Sequence, residues 1–444
     1  MMDWHNLLST RRLGEQTSAP VSPARNPFQK DWDRIVFSSA FRRLQDKTQV
    51  HSLAENDYVR TRLTHSMEAA AVGRSLGATV GHHLSQRHAL TEGVTAAEFG
   101  HVVAAAALAH DIGNPPFGHF GEAIIRRWFA ETALGQQLIA PLSAPRAEDF
   151  LRFEGNAQGF RILTRLQNWR DSGGLRLTAA TLGAFSKYPR LSVIDQAEAN
   201  DAGAQKFGVY QADAAVFDVI ASELGLLKKS RGYWCRHPLA YLVEAADDIC
   251  YQIVDLEDGF KLGRVAFSEA EALLLEIAGP KRRRYDEITT DAGKVAYLRA
   301  KAIGQLIGQA TTIFLDYERN IMAGSFAGEL LARAPARPTL DRIATITETQ
   351  VFKTAEREHT EREGAKALEY LLNAYMQAFA TAENKGLDKL HHDPVLAPLL
   401  NGFATSIDDR YEWLLHVTDY VSGMTDSYML AQFDRLTGRA PQQK

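Results

Sequence analysis

His110 and Asp111 stand side by side where the apolar run Val102 to Ala109 gives way to Ile112-Gly113-Asn114-Pro115-Pro116-Phe117-Gly118-His119-Phe120-Gly121-Glu122. An adjacent imidazole and carboxylate offer a divalent cation one nitrogen and one oxygen ligand. The same segment carries a second pair, His119 and Glu122, three residues apart and so able to touch on one helical turn. An imidazole backed by a carboxylate is suited to giving or taking a proton. Metal binding and acid–base chemistry are therefore expected from neighbouring turns of one segment.

The fold can add further ligands to His110 and Asp111. His65 opens a helical stretch elsewhere, and an Asp247-Asp248 doublet lies on a third. Two imidazoles and two carboxylates suit Mn, Fe, Co or Zn and, less naturally, Mg, and they leave positions open for water and substrate. Such a site acidifies water and neutralises charge on phosphoryl oxygens, which is what hydrolysis of a phosphate ester needs. On chemistry alone the doublet leaves the fourth ligand open between Asp247 and Asp248.

Helices must position these groups. Thr95-Ala96-Ala97-Glu98 forms a capping box that opens a helix, and Gly113 with the Pro pair closes it, so His110 and Asp111 fall on its last turn. Met67, Ala70, Ala71, Leu76 and Val80 give the His65 stretch a buried face. His237-Pro238 opens the third helix, and Gly259 is its expected terminator. That helix has an apolar stripe opposite an acidic arc of Glu244, Asp247, Asp248, Asp255 and Asp258, with Tyr251 among them. The Pro20, Pro23 and Pro27 segment, residues 14 to 30, reads as an arm laid over the surface. Residues 183 to 210 read as a short hairpin with a loop, and helices are expected over 294 to 318, 360 to 384 and 407 to 435, with a break at Ala332 to Pro338. The fold class is all-α, with an N-terminal arm (1–40), a core (41–260) and a helical C-terminal region (261–444) that completes the fold and forms an oligomer interface.

Fifty Lys plus Arg against 54 Asp plus Glu exclude a generally basic nucleic-acid binder but not a local basic pocket. Cys235 and Cys250 are the whole cysteine complement, so neither a disulfide framework nor a zinc ribbon is expected, and a reducing cytoplasm fits best. The longest apolar run falls far short of the ~20 residues that span a bilayer, and the first residues carry no apolar leader pattern.

Longer strings narrow the chemistry. Thr61-Arg62-Leu63-Thr64-His65-Ser66-Met67-Glu68, the Gly113 to Glu122 turn, Phe153-Glu154-Gly155-Asn156-Ala157-Gln158, Ser186-Lys187-Tyr188-Pro189 and Glu244-Ala245-Ala246-Asp247-Asp248-Ile249 together resemble the deoxyguanosinetriphosphate triphosphohydrolase family of the HD metal-dependent phosphohydrolases. The matching strings run from about Phe41 to Gly259. The resemblance implies a metal held by His65, His110, Asp111 and Asp247, because the family ligand is followed by Tyr at i+4 and Asp at i+8, here Tyr251 and Asp255; Asp248 is the fallback. Mn2+ or Mg2+ is the expected ion.

The implied reaction is attack of water on the α-phosphorus of a deoxynucleoside triphosphate, with tripolyphosphate leaving the nucleoside. His119 would protonate the departing 5'-oxygen and Glu122 would orient it. Lys187, Tyr188 and Lys206 match positions that grip the triphosphate, and Arg62 can reach phosphate or stack on the base. Gln49 and Asp255 match the residues that bind the 3'-hydroxyl, while Val50 and Tyr251 form a wall against a 2'-hydroxyl. The resemblance also implies a homo-oligomer, a hexamer, and a nucleotide or single-stranded DNA effector. Lys281-Arg282-Arg283-Arg284 is the densest basic run and reads first as an exposed loop and second as an anion site. Gly155 departs from the His found there in many relatives, which removes any catalytic help from that position. Two alternatives remain: an HD-type hydrolase of another ester, such as a nucleoside monophosphate, and a nucleotide-binding regulator without turnover.

Overall fold

A computed structural model of the chain describes residues 1–18, 25–48, 60–90, 93–167, 174–194, 206–281, 283–385 and 409–438. It is all-α, as the periodicity predicts: among the described residues helices alternate with turns, and the one sheet has two short strands. Three helices bring the metal-ligand candidates together, Arg62–Arg87 with His65, Ala96–Ala109 next to the His110-Asp111 doublet, and Ala240–Lys261 with Asp247. The second ends just before the doublet, so that His110 is its C-cap and Asp111 begins the following turn rather than lying on the last helical turn as expected. The first is started by Thr61, whose side chain accepts the Thr64 N–H while Thr64 reaches back to the Thr61 amide; this puts His65 on the first turn. The second starts at the expected capping box, where Glu98 accepts from the Thr95 amide.

These helices approach closely because their contact seam lacks side chains. A Cβ at Gly77 would lie 2.6 Å from the Phe99 carbonyl oxygen, so no larger residue fits that crossing without parting the helices. Around the seam Leu76, Val80, Phe99, Val103, Leu242, Ile249 and Ile253 form the heart of a large core that also takes in the helix Asp291–Asp316. A second apolar core joins the helix His119–Glu131 to the long helix Ala355–Lys385 and to Arg410–Ser422, through Ile124, Trp128, Phe129, Leu371, Tyr375 and Leu414. The segment from Ala109 to Phe117 passes from the first core to the second.

Several local expectations change. Pro27 does not belong to a surface arm: Asn26 caps a helix, Pro27–Val36, with Pro at its first turn and Phe28 wholly buried. Gly259 does not end the third helix, which continues to Lys261; the glycine instead makes room for Val351 and Val265, and Gly263, at φ +69°, comes after the true end. The described part of 183–210 holds a helix, Ala179–Phe185, and isolated bridges in place of a hairpin; the hairpin is Lys228–Ser230 with Tyr233–Trp234, turned at Gly232 (φ +71°). The helix expected over 407–435 is two, Arg410–Ser422 and Asp426–Thr437, because Thr425 caps the second by accepting the Tyr428 N–H. Among the described residues no helix is long and apolar enough to cross a membrane.

Candidate metal centre and acid–base pair

His65, His110 and Asp111 bring one ligand atom each to within 4.8 Å of one another. Asp247 joins them from the third helix, with its Oδ1 3.0 Å from His65 Nε2 and 3.4 Å from His110 Nε2. His110 Nε2 lies 3.5 Å from Asp111 Oδ1. Donors at right angles around an ion about 2.1 Å away are themselves about 3 Å apart, so this spacing suits a shared divalent cation. The donor set suits it as well, with two imidazole nitrogens and two carboxylates.

Neighbours fix two of the candidate ligands. His110 Nδ1–H donates to the Ala107 carbonyl at 2.7 Å, which leaves Nε2 facing the cluster. Asp111 accepts from Arg62 through Oδ2 at 2.7 Å and from Asn114 through Oδ1. Burial pushes the Asp111 carboxyl up, but Arg62, His110 and His65 outweigh it and bring it to about 2. Burial opposes the charge on His110 as well, and Asp111 with Asp247 overrides it, raising the imidazole to about 9. Burial likewise acts to raise Asp247, yet the two imidazoles hold it well below the usual carboxylate range. Asp248 goes the other way: burial raises it well above that range. Asp247 is the member of the doublet whose carboxylate reaches the imidazoles.

His119 opens the helix His119–Glu131, and its Nδ1–H donates to Glu122 Oε2 at 2.9 Å. Glu122 is buried, while the His119 side chain is 74% exposed. Arg126 donates to Glu122 Oε2 at 3.1 Å and the Gly155 amide to Oε1 at 2.8 Å. Burial acts to raise the Glu122 carboxyl, and the His119 bond, with the nearby Lys206 charge and the Gly155 amide, brings it below its ordinary value. A Cβ at residue 155 would come 2.7 Å from Glu122 Oε1 and 2.7 Å from Asn114 Oδ1, so the departure to glycine is what the packing here requires.

A cavity of about 470 Å³ joins the two constellations; His65, Asp111 and Asp247 line it, as do His119, Arg62 and Tyr251. Its remaining wall comes from a distant stretch that includes Glu348, Phe352, Lys353, Arg357 and Glu361. Tyr251 packs on Phe352 with ring centres 5.8 Å apart. Asp255 is buried with Oδ2 lacking a partner, and burial raises its carboxyl well above the usual range. Lys187, Tyr188 and Lys206 are not among the lining residues: Lys187 is paired with buried Glu244 at 3.2 Å and Lys206 with Glu154 at 3.3 Å. Arg62 Nε is buried without a partner. Gln49, Val50 and Arg282 lie outside the described residues, and Arg283 beside it is 94% exposed on its side chain.

Sequence reasoning passed over Asn114, Arg126 and the wall from 348 to 361. Arg126 could have been found, since it stands four residues after Glu122 on the same helix face. The wall carried no comparable signal, because only folding brings it to the cavity.

Residues 62–155 match the HD domain family. A deoxyguanosinetriphosphate triphosphohydrolase-like protein of Synechocystis sp. is 43% identical over 446 residues, covering 98% of this chain and 99% of the relative. The chain belongs to that triphosphohydrolase-like family. A member from Pseudomonas aeruginosa is 42% identical over 445 residues, covering 99% of each chain. The deoxyguanosinetriphosphate triphosphohydrolase of Klebsiella pneumoniae is 30% identical over 480 residues, covering 92% of this chain and 93% of its own. The HD domain is metal-dependent, and the His65, His110 and Asp111 group is the candidate metal site among the described residues.

Proposed function

We propose that the chain hydrolyses a deoxynucleoside triphosphate to the deoxynucleoside and tripolyphosphate. The observation that carries this reading is that His119, held by Glu122, lines the same cavity as His65, Asp111 and Asp247 of the ligand cluster. His65, His110, Asp111 and Asp247 would hold Mn2+ or Mg2+, and a cation there supplies Lewis acidity toward water and the phosphoryl oxygens. With Nδ1 bound to Glu122, His119 Nε2 is the ring atom left to hand a proton to the 5'-oxygen as the bond to the α-phosphorus breaks and the water oxygen takes its place.

Arg62, bonded to Asp111 and with Nε unused, stands beside the place where the innermost phosphate would sit. Lys187 and Lys206 act as grips on the outer phosphates by exchanging part of their pairing with Glu244 and Glu154 for the ligand. Tyr251 supports the sugar-reading role with Val50, and the unpartnered oxygen of Asp255 suits the 3'-hydroxyl read also by Gln49. The names of the relatives favour dGTP as a first substrate to try.

The test is to incubate the protein with each deoxynucleoside and ribonucleoside triphosphate, with Mn2+ or Mg2+, and to identify the phosphate released. Tripolyphosphate from deoxynucleotides supports the reading. Orthophosphate from the triphosphates means cleavage of the terminal anhydride instead; orthophosphate only from a nucleoside monophosphate offered in parallel moves the chain to that ester, and no release from either with intact metal binding makes it a regulator.

A further inference from the structure

We propose that Phe117 is a positioning residue through which the long helix Ala355–Lys385 sets the aim of His119, an inference that rests on the acid role proposed for His119 above. Phe117 has φ +59°, a left-handed backbone that a bulky residue enters only when its surroundings hold it there. Two groups hold it, and both come from the C-terminal part of the chain. Asp426 Oδ1 accepts the Phe117 N–H at 3.0 Å. The Phe117 ring lies against Gly364 on the long helix, where a Cβ would be 2.5 Å from Phe117 Cε2.

Gly118, the next residue, is constrained as well. It is also left-handed (φ +57°), and its face is filled by the Arg62 guanidinium. His119 comes next, and apart from Glu122 its direction is set by the backbone at 117 and 118. The long helix also presents Arg357, Glu358 and Glu361 to the cavity, less than two turns before Gly364. A ligand that shifts the helix therefore shifts the seat of the Phe117 ring. Phe117 also belongs to the second core, and a residue that merely filled that core would change stability without changing the reaction step.

Gly364→Ala separates these roles. Alanine is the better helix former, so the helix is not weakened, but its methyl has to displace the ring. Expected are unchanged metal content, a KM within about twofold of wild type and a kcat lower by on the order of 10- to 100-fold. In the His119→Ala background the same substitution should cause no further loss, and Phe117→Leu combined with Gly364→Ala should recover part of kcat by restoring room. The 15N resonances of the His119 imidazole, assigned by their absence in His119→Ala, should move in Gly364→Ala. They should move likewise in Phe117→Leu, which serves if the first variant does not fold.

Unmoved resonances overturn the inference whatever the substrate is. So does a loss confined to KM, which would mean only that the ring blocks the cavity, or a loss of the same size in the His119→Ala background. Wild-type protein that releases no tripolyphosphate sinks the proposed function, while the resonance shift still decides the role of Phe117.

Discussion

His119 is the side chain at which turnover and metal binding can be separated. It is exposed toward the cavity, tied to buried Glu122, and not a member of the ligand cluster. His119→Ala is expected to lower tripolyphosphate release by on the order of 100- to 10,000-fold, the contribution of a positioned general acid, with bound metal unchanged by elemental analysis. Retained turnover would remove it from the reaction. The Asp247-Asp248 doublet divides as clearly. Asp247 stands 3.0 Å from His65 and 3.4 Å from His110, whereas burial raises the Asp248 carboxyl well above the usual range. Asp247→Asn should therefore lose metal while Asp248→Asn keeps it; the reverse result would reassign the fourth ligand. Gly155→Ala places a methyl against Glu122 Oε1 and Asn114 Oδ1, and is expected to cut turnover on the order of tenfold while circular dichroism stays that of wild type. Most of these residues were legible in the chain because their chemistry shows in their types and spacing. Gly155 was legible only as a departure; its reason, the lack of room between two polar oxygens, exists only in the packed turn.

At the scale of elements, buried Lys47 joins the turn after Asp111 to the end of a C-terminal helix, donating to the Asn114 carbonyl and, at 3.0 Å, to the Ser422 carbonyl. A neutral amine still has two N–H groups for two carbonyls, so the fold does not require the charged form. Burial, aided by Arg43, lowers this amine from its ordinary 10.5 to about 7. Between those values the unfolded chain binds the extra proton, so this site makes stability rise as pH climbs from about 7 to 10.5; below 7 the cost of the buried charge is present in full. Melting temperatures of wild type and Lys47→Met, compared across that range, should show wild type gaining on the variant with rising pH. A constant difference would mean that Lys47 is charged throughout. The elements that a sequence reading places well are those with local signals, such as the capping box at Thr95. The two helices read as one over 407–435 lacked such a signal, because Tyr411, Leu414, Val417, Val421 and Met429 all feed the same core and so keep one apolar rhythm across the Thr425 break.

For the whole molecule, the ligand candidates lie at positions 65, 110 and 111, and 247, on segments that no local interaction connects. The first core packs the helices that carry them, but an ion would join their polar ends directly. The cavity wall from 348 to 361 belongs to the same problem of distance: its charges look like ordinary surface residues in the chain, and only the packing of Thr347–Phe352 on Ala240–Lys261 and of the long helix on His119–Glu131 sets them beside the cavity. The capacity for a metal could be read from the sequence, whereas the shape of the space above it could not. An ion that binds the folded chain alone stabilises it by about 2.7 kcal/mol at a hundred times its dissociation constant. Added Mn2+ should accordingly raise the melting temperature by about a few degrees and EDTA should reverse the rise. In Asp247→Ala the Mn2+ response should vanish, since three ligands remain but one of the three joined segments has lost its hold. A full response in that variant would show that the ion binds elsewhere, and the proposed centre would then have to be given up.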